Sequence, residues 1–298
     1  MLRLLTIVVL IVTATVRFPS PAEGYEIIFE DTRQLTGPQY RDFANELAFI
    51  SSAPIMGPTR PVAPWQPWIY GSHNIRIIRP VDATWITSPM LTRDARPRVH
   101  LPVINLGMGL PGDFVVSAMY GHSLNLDLQT VGVDLSYPFV KPTVTRPGLW
   151  ARVSYVHPMG FEGMRMHLPA LSLYLTNEFL RVPLRGNRPL TMDIRAGVQQ
   201  AMVWSIHTDL ENAEGQRRSS LFAPASPQFL AGLGLSYRDW SFEADLAYAS
   251  SQSFIEGRNR TRSGWNQSYR VSYHWQQRER HPGHPPEQAP ESPSEPAR

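Results

Sequence analysis

Trp240-Ser241-Phe242-Glu243-Ala244-Asp245-Leu246-Ala247-Tyr248-Ala249 is the stretch whose reading decides the fold. Large apolar side chains recur at every second residue, and the positions between them carry Ser241, Glu243 and Asp245. Successive side chains of a strand point to opposite faces, so this is a strand with one apolar and one polar face. The same pattern returns along the chain. Leu190, Met192, Ile194, Ala196 and Val198 alternate with Thr191, Asp193, Arg195 and Gly197; Tyr269, Val271, Tyr273 and Trp275 alternate with Ser268, Arg270, Ser272 and His274. Phe229 to Tyr237 and Val131 to Phe139 repeat it with small or polar residues between the apolar ones.

Two architectures hold such strands. A soluble sandwich or lipocalin-like barrel turns the apolar face inward, whereas a membrane barrel turns it out to lipid and keeps the polar face in its lumen. Length favours the second, because several segments run to about ten residues or more, the span of a bilayer, where soluble strands average about 5 to 6. Aromatic placement agrees. Trp240, Tyr248, Tyr237, Tyr269, Tyr273 and Trp275 lie near strand ends, where membrane barrels carry interfacial girdles.

Strands are expected at about 68–78, 98–110, 113–122, 127–139, 148–157, 164–180, 189–206, 228–238, 240–250 and 265–275. That makes about ten antiparallel strands, with 8 to 12 as the range, and an even number suits closure of a single-chain bacterial barrel. Pro111-Gly112-Asp113 and Arg238-Asp239 read as tight turns. Arg79 to Pro97, His207 to Pro227 and Ser251 to Gly264 read as long loops at the opposite end. With both termini periplasmic, these long loops face outside.

The flanks have other compositions. Arg3 followed by apolar Leu4 to Val16 reads as a secretory signal, with Ala22-Glu23-Gly24 as the cleavage site, so residues 1–24 are expected to be removed. Residues 25–67 form a periplasmic or plugging segment with one amphipathic helix at about Gln39 to Ser51, where Phe43, Leu47 and Ile50 share a face. The barrel proper takes 68–275. Residues 276–298 are rich in proline, glutamate and serine and are expected to be a disordered tail.

Composition excludes several classes. The 298 residues include no cysteine, so disulfides, thiol nucleophiles and cysteine-ligated metals are out. A net charge of +3 with the cations scattered gives no nucleic-acid footprint. Mean hydropathy of −0.25 excludes a bundle of membrane helices. It says nothing against alternating strands.

Asn266 to Trp275 resembles the C-terminal assembly signal of bacterial outer-membrane barrels, with Tyr269, Val271, Tyr273 and Trp275 as its alternating residues. The wider arrangement, Arg98 to Phe179 in alternating segments around Leu110-Pro111-Gly112-Asp113-Phe114, is similar to uncharacterised outer-membrane β-barrel proteins of bacteria. That resemblance implies a bacterial outer-membrane location, contact with outer-membrane lipids and lipopolysaccharide, and delivery by the barrel-assembly machinery through the last strand. It implies no cofactor and no catalytic set.

Candidate sites follow from the polar faces. Arg152, Asp193, Arg195, Glu243, Asp245 and Arg270 are expected in the lumen, where mixed charges either pair and fill the interior or line a narrow passage. His122 and Ser123 form a weak acyl-transfer pair, since neighbours on a strand face opposite ways. His207, with Asp209 and Glu211, is a weak candidate at an outer loop. Arg258, Arg260 and Arg262 suit lipid phosphates. The sequence supports a structural barrel or narrow pore for small solutes, more readily non-enzymatic than enzymatic. The alternatives are an outer-membrane hydrolase acting on lipid or peptide, and a soluble exported protein binding an apolar ligand.

Overall fold

The computed structural model describes residues 44–45, 47–52, 62–77, 98–124, 128–143, 145–160, 164–184, 189–207, 219–255 and 258–275. The proposed signal peptide and the 276–298 tail lie outside these residues, as do Asp209 and Glu211.

Eleven strands follow one another: β1 (Pro67–Ile77), β2 (Arg98–Gly109), β3 (Val115–His122), β4 (Gln129–Val140), β5 (Gly148–Met159), β6 (Met164–Val182), β7 (Leu190–His207), β8 (Ser219–Pro224), β9 (Gln228–Tyr237), β10 (Trp240–Ile255) and β11 (Arg258–His274). Consecutive strands pair antiparallel except β8 and β9, which both pair β7, and β1 pairs β11 from Trp68↔His274 to Ile77↔Trp265, which closes the sheet. Ten strands form the ring. The eleventh, β8, pairs only the last part of β7, from Met202↔Pro224 to His207↔Ser219, while β9 takes the rest of β7 from Leu190 to Gln199. Strands β8 and β9 are therefore one wall interrupted at Ala225 to Pro227, where Ala225 donates to the Ala201 carbonyl at 2.9 Å and Gln200 Nε2 to that of Ala225 at 2.6 Å.

Following the registers around the ring returns to β1 about twelve residues further along, so the strands tilt by roughly 40° and enclose a backbone radius of roughly 10 Å. Closure pairs both sides of every ring strand through the belt, and only β8, beyond Ala225, has a single partner among the described residues. The rim where the chain enters β1 and leaves β11 is the near rim. Two of its turns are tight, with Gly112 and Asp113 at φ 78° and 66° and Arg238 at φ 55°, the left-handed geometry that close hairpins demand, while the β4–β5 connection runs over residues 141–147.

Burial assigns the faces. Asn105, Asp134, Arg152, Ser172, Arg195, Ser236 and Glu243 are buried, while Ile104, Leu106, Val133, Val153, Leu171, Leu173, Ile194, Leu233 and Leu246 are exposed on the same strands. Polar residues inside and aliphatic residues outside is the polarity of a membrane barrel and the reverse of a soluble one. Aromatic side chains edge the aliphatic belt. Phe114, Tyr137, Phe139, Trp240, Tyr273 and Trp275 band the near rim, with centroids of 4.8 Å for Phe114–Tyr137 and 4.9 Å for Trp240–Tyr273. Trp204, Phe222, Phe229, Tyr248 and Trp265 band the far half. About eight residues of tilted strand separate the bands, roughly 20 Å of apolar height.

Two expected loops are corrected. Ser251 to Gly264 is not a loop: β10 continues to Ile255 and β11 begins at Arg258, so this part stands up as a hairpin, Arg258, Arg260 and Arg262 included. His207 to Pro227 contains β8. Alternation missed both because Ser250, Ser251, Gln252 and Ser253 carry no apolar phase, and pairing rather than hydrophobicity holds them extended.

A charge at the middle of the belt tests the polarity. Leu173→Arg is expected to cost about 2–4 kcal/mol of folding stability in phospholipid vesicles and Phe139→Arg, at the near band, about 1 kcal/mol or less. Equilibrium urea unfolding of the two variants measures the difference, and equal costs would contradict the assignment of faces.

Candidate functional site

The lumen has two layers, each built from alternate positions on the strands. Near the entry rim, β7 and β10 send Asp193, Arg195, Glu243 and Asp245 inward, and β11 sends Arg270. The registers place Asp193 and Arg195 opposite Gly234 and Gly232 of β9, which in turn lie opposite Glu243 and Asp245. Arg195 bridges the carboxylates, 2.6 Å from Glu243, 3.1 Å from Asp245 and 3.5 Å from Asp193. Arg270 also contacts Glu243 and lies 3.8 Å from Asp245. The two glycines make this possible, since a Cβ at Gly232 would fall on the Asp245 carboxylate and one at Gly234 on that of Asp193.

Arg152 belongs to a second cluster. Its Nη2 donates to Asp134 at 2.9 Å, and Ser117 donates to the same carboxylate oxygen at 2.6 Å. Asp134 follows the alternation of β4, but an isolated acid gave no reason to link it to Arg152 before the β4–β5 register set Asp134 opposite Ser154 and Arg152 opposite Ser136. Aromatic walls join the clusters. The Arg270 guanidinium lies 5.0 Å over the ring of Tyr70, whose hydroxyl accepts from Asn105 at 2.7 Å, and Trp150 stacks on Tyr174 at 6.0 Å. Three guanidiniums thus face four carboxylates inside a narrow ring, where each charge depends on its neighbours for the hydration it has lost.

The far layer is largely apolar on β2 to β7, carries buried Asn74, Arg76, Gln228 and Asn266 on β1, β9 and β11, and holds a helix. Ala44, Leu47, Ala48 and Ile50 are buried in one cluster with inward residues of the wall, among them Leu101, Leu128, Val156, Met166, Leu168 and Val203. The fit depends on small side chains, because a helix with its side chains is about 10–12 Å across. Ala44 and Ala48 supply them on the helix and Ala170, Ala201 and Ala225 on the wall. At Gly264 a Cβ would lie 2.7 Å from the Phe49 ring. Two buried side chains hold the helix end: Arg76 Nη2 donates to the Ser52 carbonyl at 2.6 Å, and Gln228 Nε2 donates to the Ser52 hydroxyl at 2.7 Å. Arg76 also stacks 4.8 Å over Phe49.

The weak catalytic candidates do not converge. His122 is exposed at the end of β3 while Ser123 is buried, on the opposite face, with its amide bonded to the Leu128 carbonyl at 2.8 Å. His207 ends β7, opposite Met164 and Ser219. Among the described residues no group of three or more histidine, aspartate or glutamate side chains is placed to hold a metal ion.

Arg195→Met removes the bridge and leaves three carboxylates to Arg270. The expected loss is about 3–5 kcal/mol, and the triple variant Arg195→Met, Glu243→Gln, Asp245→Asn should recover much of it. Unfolding midpoints in the same vesicles check both, and a triple variant no better than the single one would show that the carboxylates do not need the cation.

No protein-family model matches the chain, and no curated protein sequence matches it. Among solved structures it is similar to the transport unit of the autotransporter AIDA-I from Escherichia coli, at 9% identity over 80% of this chain and 99% of that one, with a TM-score of 0.39. It is similar to the translocator domain of the autotransporter NalP from Neisseria meningitidis, at 12% identity over 80% and 96%, TM-score 0.35. A third likeness is to the outer-membrane protein OmpT of Vibrio cholerae, at 13% identity over 60% of this chain and 57% of that one, TM-score 0.27.

Proposed function

We propose that this protein spans the bacterial outer membrane as a structural barrel whose lumen is closed by its own helix, and that it passes small solutes only when that helix leaves. The carrying observation is the burial of Ala44, Leu47, Ala48 and Ile50 against inward residues of the wall. A permanently water-filled channel would present polar side chains there. Outer-membrane placement is supported by the outward aliphatic belt and by the two aromatic bands. Delivery by the barrel-assembly machinery is supported by the last strand, where Tyr269 and Trp275 are 53% and 47% exposed on the outward face. Lipids, including lipopolysaccharide, are the partners that this surface suits.

With the helix gone, the remaining constriction would be the charge layer around Arg195 and Arg270. Its mixed signs suit small polar solutes more than large ions. The separation of His122 from Ser123 gives no support to a lipid or peptide hydrolase.

Planar-bilayer recording tests this reading. The full chain should stay closed for almost the whole recording, and Ala48→Glu, which places a charge in the apolar seat, should raise the open time about tenfold or more while the protein keeps its heat-modifiable migration. A steady open channel in the unmodified protein would overturn the closed state. Silence in both would remove the helix as gate and leave a purely structural barrel.

A further inference from the structure

Histidine is placed unevenly on the outer surface. Of the nine histidines in the chain, His73, His100, His122, His157 and His167 take outward positions in the far half of β1, β2, β3, β5 and β6. Each alternates with buried inward neighbours, such as Ser72 and Asn74, Val99 and Leu101, Gly121 and Ser123, or Met166 and Leu168. This is the level at which the other side of the barrel carries Trp204, Phe222, Phe229, Tyr248 and Trp265. Along one arc, imidazoles thus replace much of the aromatic band.

The imidazoles are also arranged together. His73 Nε2 and His100 Nδ1 are 3.1 Å apart across β1 and β2, one donating to the other. The rings of His157 and His167 stack at 4.9 Å, and His167 lies 5.3 Å from Trp204. His157 Nδ1 donates to the Met166 carbonyl at 2.7 Å, and the Tyr155 hydroxyl is bonded to His167 Nδ1. His122 is exposed beside Gln129. Around them stand Tyr120 on β3, Tyr155 on β5, exposed Arg165 on β6 and Tyr269 on β11, which is the register partner of His73. No aspartate or glutamate occupies an outward position in the far half of β1 to β6 among the described residues.

Neutral imidazole suits the boundary between lipid chains and water, and protonated imidazole is a donor to phosphate oxygen. An ordinary histidine changes charge near pH 6.5. We propose that the histidine arc of β1, β2, β3, β5 and β6 is a contact surface for the anionic phosphate groups of the surrounding leaflet, engaged when the arc takes up protons, one to each close pair. The inference rests on the membrane-spanning reading of the barrel. The sign follows from linkage: bound phosphate favours the protonated form, so the added stability is present in acid and is lost as pH rises past the bound-state titration. Arg165 adds an attraction that does not depend on the imidazoles.

The full chain in vesicles of phosphatidylglycerol or phosphatidylcholine, at pH 5.5 and 7.5, provides the test through its thermal unfolding midpoint. The unmodified protein should unfold roughly 5 °C or more higher in phosphatidylglycerol at pH 5.5, with the gap closing at pH 7.5. The five-fold histidine-to-glutamine variant should lose the pH-dependent gap, and Arg165→Gln should keep it. If the five-fold variant does not fold, the pairs His73→Gln/His100→Gln and His157→Gln/His167→Gln should each shrink it. An unmodified protein without the gap, or variants that retain it, would overturn the proposal. So would a gap abolished by chelator, which would point to a bridging metal ion instead. Failure to give heat-modifiable protein in any vesicle would count against the membrane reading itself.

Discussion

The hydrogen bonds between β1 and β11 are the interaction on which the rest depends. Lipid chains offer no partner to a backbone amide or carbonyl, so a sheet can face them only if its first and last strands meet. Ten register pairs from Trp68↔His274 to Ile77↔Trp265 make that closure. Once the ring is shut, each strand has an outside wetted by lipid and an inside shared with nine others. The period of two then sorts every residue by a single rule, and the same rule that puts Leu233 against lipid puts Gly232 and Gly234 where carboxylates need room.

Closure at ten strands also fixes how much space the inside has. A backbone radius of roughly 10 Å is too wide for ordinary side chains alone to fill everywhere and too narrow for bulk water around many charges. The chain meets this in two ways. In the near half, long side chains, Arg195, Arg270, Arg152, Trp150 and Tyr174, fill the lumen and meet partners on adjacent or next-but-one strands. In the far half the wall residues are shorter, with Ala170, Ala201 and Ala225 among them, and a helix occupies the difference. The buried ions carry a desolvation cost that apolar packing would avoid, so their presence argues for a function of position, fixing register and excluding solvent, more than for added stability.

Much of this was legible in the sequence, and the reason is particular. In β10 the inward Ser241, Glu243 and Asp245 differ sharply from the outward Phe242 and Leu246, so strand, face and lumen residues could all be named from alternation alone. The tight turns were legible because positive φ restricts residue choice, as at Gly112. What alternation could not supply was pairing between strands distant in sequence. Arg195 and Glu243 are 48 residues apart, and only the β7–β9–β10 registers bring them to 2.6 Å. Likewise Asp134 was one acid among many until β5 placed Arg152 beside it. Strand β8 and the β10–β11 hairpin escaped because extended structure there depends on a neighbour's hydrogen bonds rather than on an apolar face.

One signal in the sequence was stronger than it looked. Met164 to Leu175 reads Met-Arg-Met-His-Leu-Pro-Ala-Leu-Ser-Leu-Tyr-Leu, with apolar Met166, Leu168 and Ala170 on the inward phase, and Val99, Leu101 and Val103 do the same on β2. In a barrel with a wet lumen such segments are errors, since half of their apolar residues would face water. They are consistent only if something apolar fills the lumen at that height, and the inward members, Met166, Leu168, Val99, Leu101 and Val103, are the ones that share a cluster with the helix. The usual polarity is reversed there, because the inward positions meet Leu47 and Ile50 of the helix while Arg165, His167 and His100 take outward positions. Apolar residues at the inward positions of an otherwise polar lumen therefore mark where that lumen is occupied, and the amphipathic helix of the N-terminal segment is the element with the matching face.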